Sequence, residues 1–360
     1  MLCAAWPQVA GDLASTRQDA AMFLDNVEAI WGAASQQDWI ARWTSIGNAH
    51  CSRAELDIKN GDLDEATEAW LSSLTAFEVA RRLLEEDGPQ TEEILAKMEA
   101  TVSKVGRSPH HNIESVEIST CEPADLQAYY LSAGDPFPRA PSVICISSED
   151  ETRATLLARL MPAAIGRGMS VLVVSHDDVV DRPRGRSGTM LSCCVDYLSG
   201  RSDVDADRIG VYGEGLSAAL ATDLAVPDRR VAAAVCDGGL WNCVRMRASV
   251  DWMTRTEATI DEDIISARRL RLLRRLGCPV LVVAGGRSIV SVSEALKLQT
   301  DCFATRIDLE LAMPRMIGTV AANKENFVVA DDCIFSWLER KLTYAASFGQ
   351  STLSTQQPTY

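Results

Sequence analysis

Several side chains that could do acid, base or nucleophilic chemistry follow directly after predicted buried strands. Glu214 is a candidate general base if apolar walls raise its pKa, and His176 is a second candidate, with Asp177 or Asp178 to orient its ring. Cys236 would need a lowered thiol pKa to act as a nucleophile. The structural alternatives are a solvated carboxylate, a loop histidine and a buried thiol. Because ligands of parallel sheets bind at the carboxyl ends of strands, we expect the site at that edge.

A glycine-containing turn lies next to one of these candidates. Gly213 and Gly215 flank Glu214, and they separate a buried apolar run from the small-residue stretch Ser217–Ala225. Glycines at this spacing are typical of a sharp, crowded corner, so we predict a strand, a tight turn and a helix. The turn lacks the third glycine of a dinucleotide fingerprint. We therefore expect neither NAD nor another cofactor.

The elements that position these residues alternate between short apolar runs and helical stretches after residue 112. This alternation predicts an α/β fold with a doubly wound, mostly parallel sheet whose two faces are both covered. The predicted strands cover residues 114–120, 126–132, 142–146, 169–174, 209–212, 231–235 and 280–284. The predicted helices cover residues 151–164, 187–198, 217–225, 264–276 and 331–344.

The first part of the chain has the periodicity of amphipathic helices between residues 17 and 105. We predict an all-helical cap domain over residues 1–112, an α/β domain over 113–347 and a mobile tail over 348–360. The tryptophans of the helical part recur at helical spacing, so we expect them in its core rather than around a ligand. They are Trp31, Trp39, Trp43 and Trp70.

The composition excludes several classes of function. The 360 residues are 47% hydrophobic and 24% charged, with a formal net charge of -15, so the chain can bury a core but would repel nucleic acid or an anionic membrane. The chain carries no apolar run of about 18 residues, so we expect no membrane span. Eleven cysteines without a C-x-x-C pair indicate reduced thiols and a cytoplasmic location.

The chain holds only four histidines, which limits acid–base and metal chemistry near neutral pH. His110 and His111 adjoin the predicted domain boundary, where a polar linker explains them, because no Cys, Asp or Glu spacing completes a metal cage. We expect no metal site. No histidine follows His176 in the sequence.

Four segments in order resemble the α/β-hydrolase superfamily, in the branch with an N-terminal helical domain that includes 2,6-dihydropseudooxynicotine hydrolase and fermentation-respiration-switch-protein-like esterases. The resemblance covers residues 110 to 345. It implies an α/β-hydrolase domain with a helical cap, and relatives that often dimerise, so a homodimer is an open prediction. The segments are residues 163–174, 194–211, 230–241 and 278–285.

The chain departs from the catalytic pattern that this resemblance implies. The family's G-x-S-x-G turn presents a nucleophilic serine, whereas Gly215 stands at that position here. Ser217 comes two residues later and is expected to point elsewhere. Ser288 stands where the acidic residue is expected, and the stretch 313–324 lacks the family's histidine. Losing all three groups removes the proton relay, so hydrolysis by the family route is not expected.

The anion-binding region that the resemblance implies is also altered. Backbone amides at Ser147, Ser148 and Leu216 could still donate hydrogen bonds to a developing oxyanion. Glu149 and Asp150 would oppose a nearby anion unless they point away.

Three functions stay open from the sequence. The first is a cofactor-free acid–base enzyme, a cyclase, condensing enzyme, C–C lyase or isomerase acting on a small apolar carbonyl compound, with secondary metabolism as a setting. It predicts an enclosed apolar pocket containing His176 or Glu214. The second is a catalytically inactive pseudoenzyme that binds a ligand or a partner protein. The third is a hydrolase with a relocated nucleophile, Ser217 or Cys236.

Overall fold

The computed structural model describes most of the chain. The predicted helix over 264–276 lies outside the described residues apart from its last three, and His110, Trp31, Ser288 and the tail lie outside them entirely. The described residues are 11–27, 35–84, 88–108, 111–120, 125–134, 139–180, 187–238, 274–284, 292–304, 306–313, 316–318 and 323–344.

Four helices form the first part of the described chain, as the periodicity predicted. Local signals set their ends: the Asp12 carboxylate accepts from the Ser15 amide, and Ser35 forms a reciprocal capping box with Asp38. The second and third helices pack side by side, and the third is buried along most of its length. Trp39, Trp43 and Trp70 are core residues, as expected. The helices are α1 Leu13–Asp25, α2 Gln36–Asn60, α3 Leu63–Leu83 and α4 Pro89–Val105.

The rest of the described chain builds an eight-stranded sheet in the order β1-β2-β4-β3-β5-β6-β7-β8. Strands β1, β2 and β4 pair antiparallel in sequence order along one edge, and the other pairs are parallel. The predicted mostly parallel α/β class is confirmed. The strands are β1 Ile113–Ile118, β2 Leu126–Leu131, β3 Ala140–Ile146, β4 Ser170–Val174, β5 Val204–Glu214, β6 Val231–Asp237, β7 Val280–Val283 and β8 Leu309–Ala312, with a separate pair β9 Met316–Gly318 and β10 Asn323–Glu325.

Helices cover both faces of the sheet, which makes it doubly wound. One face shares a hydrophobic core with α5, α10 and the four N-terminal helices, and the other face packs against α7, α8 and α9. Side chains alternate between the faces, so Val211 and Tyr212 belong to different cores. The helices are α5 Arg153–Ala164, α6 His176–Val180, α7 Ser187–Ser199, α8 Ser217–Ala225, α9 Val292–Ala304 and α10 Phe327–Tyr344. No described helix has the length and apolar character of a membrane span.

Two elements extend well beyond their predicted bounds, and the other predicted boundaries in the described chain shift by at most two residues. Strand β5 runs beyond both predicted ends because Val204 pairs with Ala140 and Glu214 pairs with Asp237. Helix α10 begins four residues before the predicted start, since the Asn326 side chain accepts from the Val329 amide. The early start places Asp331 inside the helix.

A buried ionic cluster connects the N-terminal helices to the sheet. Arg159 on α5 donates to the carboxylates of Asp331 at 2.6 Å and Glu214, and it lies 3.4 Å from Glu151. The Tyr212 hydroxyl donates to Glu214 at 3.1 Å. The Arg159 side chain is only 2% exposed, so these partners replace the water that a guanidinium would otherwise bind.

Helix α3 contributes the other half of this cluster. Arg81 lies 3.5 Å from Glu151, and both Arg81 and Arg82 pair with the fully buried Glu78 at 2.7 Å. With Arg159, the cluster holds three guanidinium groups against four carboxyl groups.

The excess of carboxyl groups favours a bound proton. The pKa of Asp331 is raised from its ordinary value of 3.8 to about 7, mainly by burial and also by the neighbouring Glu214, against the opposing effect of Arg159, Arg17 and Arg82. Burial also raises the pKa of Glu151. Asp331 Oδ2 has no hydrogen-bond partner among the described residues. The folded protein therefore keeps a proton on this cluster at mildly acidic pH.

Replacing Asp331 with asparagine should flatten the dependence of stability on pH. Between pH 4 and 7 the folded state holds a proton that the unfolded chain has released, so the free energy of unfolding decreases as pH rises, by at most about 1.4 kcal/mol per pH unit. Urea unfolding of wild type and D331N at several values between pH 5 and 8 measures this decline. D331N should show a smaller decline.

The adjacent Asp332 provides the control. Its side chain is 43% exposed and pairs with Arg17 and Arg167 at the surface of the cluster. D332N should keep the wild-type decline. Equal slopes for wild type and D331N would mean that Asp331 holds no proton in this range.

Candidate functional site

The site is built on the tight turn between β5 and α8. Gly215 has a φ of +60°, a conformation that L side chains rarely adopt. A Cβ at Gly213 would lie 2.1 Å from the carbonyl oxygen of Ser217, so the chain doubles back too closely for any side chain there. The Gly215 amide donates to the Asp237 carbonyl at 2.8 Å. The predicted strand, tight turn and helix are confirmed.

The Glu149 side chain fills the space above Gly215. Its Oε2 accepts a hydrogen bond from the Leu216 amide at 3.2 Å. The same oxygen would lie 2.8 Å from a Cβ at Gly215. This geometry decides the open question of where Glu149 points: it points into the expected anion position.

The expected set of free backbone amides is therefore wrong in two of its three members. The Ser147 amide donates to the Val174 carbonyl at 3.0 Å and belongs to the sheet. The Leu216 amide donates to Glu149. Two buried serines remain at this edge, and the hydroxyl of Ser148 has no hydrogen-bond partner among the described residues.

A four-residue turn presents Glu149 to solvent. The Glu151 amide donates to the Ser148 carbonyl at 3.3 Å, which places Glu149 and Asp150 at the exposed corner of a β-turn. Glu151 itself is buried in the ionic cluster. The turn is thus held in the protein interior at both of its ends.

His176 and Ser217 contact each other beneath this turn. The ring nitrogen Nδ1 lies 2.7 Å from Ser217 Oγ, and Ser217 Oγ donates to the Ser147 carbonyl at 2.6 Å. The serine has one proton, so both contacts are satisfied when Nδ1–H donates to Ser217 Oγ. The His176 amide also donates to Ser147 Oγ at 3.1 Å. Strand β4 and helices α6 and α8 are therefore each hydrogen-bonded to Ser147.

This arrangement suits positioning better than nucleophilic attack. Ser217 is fully buried, and its proton already goes to a backbone carbonyl. It points beneath the turn, in agreement with the sequence expectation. Of the two acids beside His176, Asp177 is exposed and Asp178 pairs with Arg153 at 2.7 Å.

Glu214 and Cys236 lie in surroundings unlike those a catalytic role would need. Glu214 faces Arg159 and Tyr212, an ionic environment in place of the expected apolar walls. Cys236 is buried with its Sγ 3.4 Å from Thr222 Oγ1, and burial raises its thiol pKa to about 12. A thiol with this pKa is protonated at neutral pH, so Cys236 is a poor nucleophile.

A cavity of about 290 Å³ lies between the helical part and the sheet, but away from this turn. Neither His176 nor Glu214 lines this cavity, so the predicted pocket around them stays a prediction. In the ranges covered by the structure, no three His, Cys, Asp or Glu side chains converge to hold a metal ion. The cavity is lined by Glu99, Val102, Ser103, Gly106, Arg107, Ile113, Ser115, Tyr129 and Ala154.

From the sequence alone, Glu149 is predicted only as an obstacle to an anion, and Arg159 is not predicted as a functional residue. A signal for Glu149 existed, because it follows a buried strand by three residues at the same sheet edge as Gly215. Arg159 and Asp331 are 172 positions apart, and no local pattern pairs them.

Sequence comparison finds partial relatives. No family model matches the chain. An uncharacterized protein of Mycobacterium tuberculosis strain H37Rv is 30% identical over 151 residues, covering 41% of this chain and 52% of that protein. An uncharacterized protein of strain CDC 1551 / Oshkosh gives the same figures. The chain thus spans about half the length of these relatives.

Solved structures show more extensive similarity. The 2,6-dihydroxy-pseudo-oxynicotine hydrolase aligns with a TM-score of 0.57 at 18% identity, covering 91% of this chain and 96% of that chain. A Mycobacterium tuberculosis puromycin-hydrolyzing peptidase aligns with a TM-score of 0.50 at 12% identity, covering 66% and 41%. Similarity at these identities shows the fold alone. Together with the sheet order and the turn geometry, it shows that this chain has the α/β-hydrolase fold.

Proposed function

We propose that this chain catalyses a cofactor-free acid–base step on a small apolar carbonyl compound at the carboxyl edge of its sheet, without forming an acyl-enzyme. One observation carries the proposal: the turn keeps a sharp corner at Gly215 with φ +60°, but a carboxylate fills the place of a nucleophilic side chain. The reaction classes that fit are cyclisation, condensation, C–C cleavage and isomerisation. Each requires proton transfer by a general base or acid close to a carbonyl group.

The organisation of the chain supports this proposal. In the proposed organisation, residues 1–112 form a helical cap, residues 113–347 form the catalytic domain, and residues 348–360 form a tail. The N-terminal helices share a core with one face of the sheet, which gives a cap a fixed relation to the site. A homodimer, a cytoplasmic location and a setting in secondary metabolism remain predictions from the sequence.

A catalytically inactive binding protein is the second candidate. The specific observation in its favour is that Glu149 already occupies the Leu216 amide, so the protein supplies its own anion at this position. A hydrolase with Ser217 as relocated nucleophile is the third, favoured by the 2.7 Å contact between Ser217 and His176. The complete burial of the Ser217 side chain argues against this third candidate.

Solvent deuterium exchange tests the acid–base activity without knowledge of the natural substrate. We expect the protein in D2O to exchange the α-protons of at least one of cyclohexanone, acetophenone and levulinate faster than the same protein after heat denaturation. Proton NMR measures the loss of the α-proton signal. Background exchange for all three ketones, together with saturable binding of one of them, would instead establish the binding protein.

A fluorophosphonate probe separates the proposal from hydrolysis by a relocated serine. The probe phosphonylates activated serines with loss of fluoride, and Ser217 donates its proton to a carbonyl inside the protein. We therefore expect no covalent adduct in the intact mass spectrum after incubation of the folded protein with the probe. An adduct that maps to Ser217 and is absent in S217A would establish the relocated nucleophile.

A further inference from the structure

We propose that Glu149 is the catalytic acid–base group of this site, with its carboxylate acting from the position that a nucleophilic side chain would occupy. The inference rests on the proposed function and names the residue that performs the proton transfer. The sequence predicted Glu214 or His176 for that task.

The position of the carboxylate is the first argument. A serine at position 215 would carry its oxygen one bond beyond its Cβ, and Glu149 Oε2 lies 2.8 Å from that Cβ position. The absence of a side chain at Gly215 is what leaves room for the carboxylate. Gly215 and Glu149 therefore form one unit, in which the glycine creates a space and the glutamate fills it.

The anchoring of the turn is the second argument. On one side, Ser147 is held by the Val174 carbonyl, the His176 amide and the Ser217 hydroxyl. On the other side, Glu151 is held among Arg81 and Arg159 in the ionic cluster. A fixed backbone with an exposed side chain at its corner is the arrangement that a catalytic carboxylate needs. His176 and Ser217 are then positioning residues.

An unpartnered donor beside Glu149 is the third argument. Ser148 is only 3% exposed, and its hydroxyl has no hydrogen-bond partner among the described residues. Its Cβ lies 3.6 Å from the Cβ position at Gly215. A buried hydroxyl without a partner is costly, and a carbonyl oxygen of a substrate would satisfy it.

The substrate class follows from this set of groups. A ketone or related carbonyl compound with a hydrogen on its α-carbon would accept a hydrogen bond from the Ser148 hydroxyl through its oxygen. The Glu149 carboxylate takes the α-proton, the C–H electron pair forms the C=C bond, and the C=O π pair moves onto the oxygen as an enolate. The protonated carboxyl then returns the proton to carbon. No redox partner is required.

The structural alternative is a surface glutamate that only stabilises the start of α8. A carboxylate near the N-terminus of a helix is favourable on that ground alone. Such a role predicts a change in stability when Glu149 is altered, with no effect on proton exchange. Catalysis predicts a loss of exchange in a protein that stays folded.

The test compares three variants in the deuterium exchange assay with the ketone that the wild type exchanges fastest. E149Q should reduce the exchange rate at least about 100-fold, the typical contribution of a positioned acid–base group. E149D keeps the carboxylate but shortens its reach, so it should restore part of that loss. D150N removes the neighbouring exposed carboxylate of the same turn and should exchange at the wild-type rate.

A fourth variant makes the result independent of the glutamine substitution. G215A leaves Glu149 in the sequence but places a Cβ 2.8 Å from its Oε2, so it should displace the carboxylate and also abolish exchange. Circular dichroism and the midpoint of urea unfolding confirm that each compared variant is folded. Loss in both E149Q and G215A, with D150N unaffected, supports the catalytic role.

Two failures are distinguishable. Wild-type protein that exchanges none of the ketones above background overturns the proposed function, and the role of Glu149 with it. Wild-type exchange that persists unchanged in folded E149Q overturns only the role of Glu149 and leaves the acid–base function standing on another residue.

Discussion

The described structure depends on the burial of one guanidinium. Arg159 draws carboxylates from just before α5, from the end of β5 and from the first turns of α10 into the interior, and Arg81 of α3 lies beside one of them. Moving such charges out of water costs several kcal/mol per ion unless every partner is in place. The N-terminal helices and the sheet edge therefore fold as an interdependent set. The turn that carries Glu149 is anchored in this ionic cluster, because the last residue of the turn is Glu151.

The fold could be read from the sequence because it depends on local patterns. Short apolar runs predicted the strands, and glycine spacing predicted the turn at Gly215. The ionic cluster could not be read, since Arg159 meets Asp331 across 172 positions and both look like ordinary residues of amphipathic helices. The direction of Glu149 was also beyond the sequence, because a β-turn can present a side chain toward or away from the sheet edge.

Most of the candidate residues lie close together in the fold, but their contacts indicate roles that differ from the predicted ones. Ser147, Ser148, His176, Gly215, Leu216 and Ser217 do meet at one edge, as the strand ends predicted. Their hydrogen bonds run mainly to backbone groups and hold the edge together. Glu214 belongs instead to the ionic cluster. A residue type suited to catalysis is thus not sufficient to predict a catalytic role, because the same hydroxyl or imidazole can form hydrogen bonds that only stabilise the fold.

The close approach of Glu149 to Gly215 also constrains how this sequence can change over generations. A serine introduced at position 215 would meet the carboxylate, and a shorter residue at position 149 would leave an empty corner above the glycine. A change at either position alone therefore removes the present arrangement. The two positions should be epistatic, because the effect of a residue at one depends on the residue at the other.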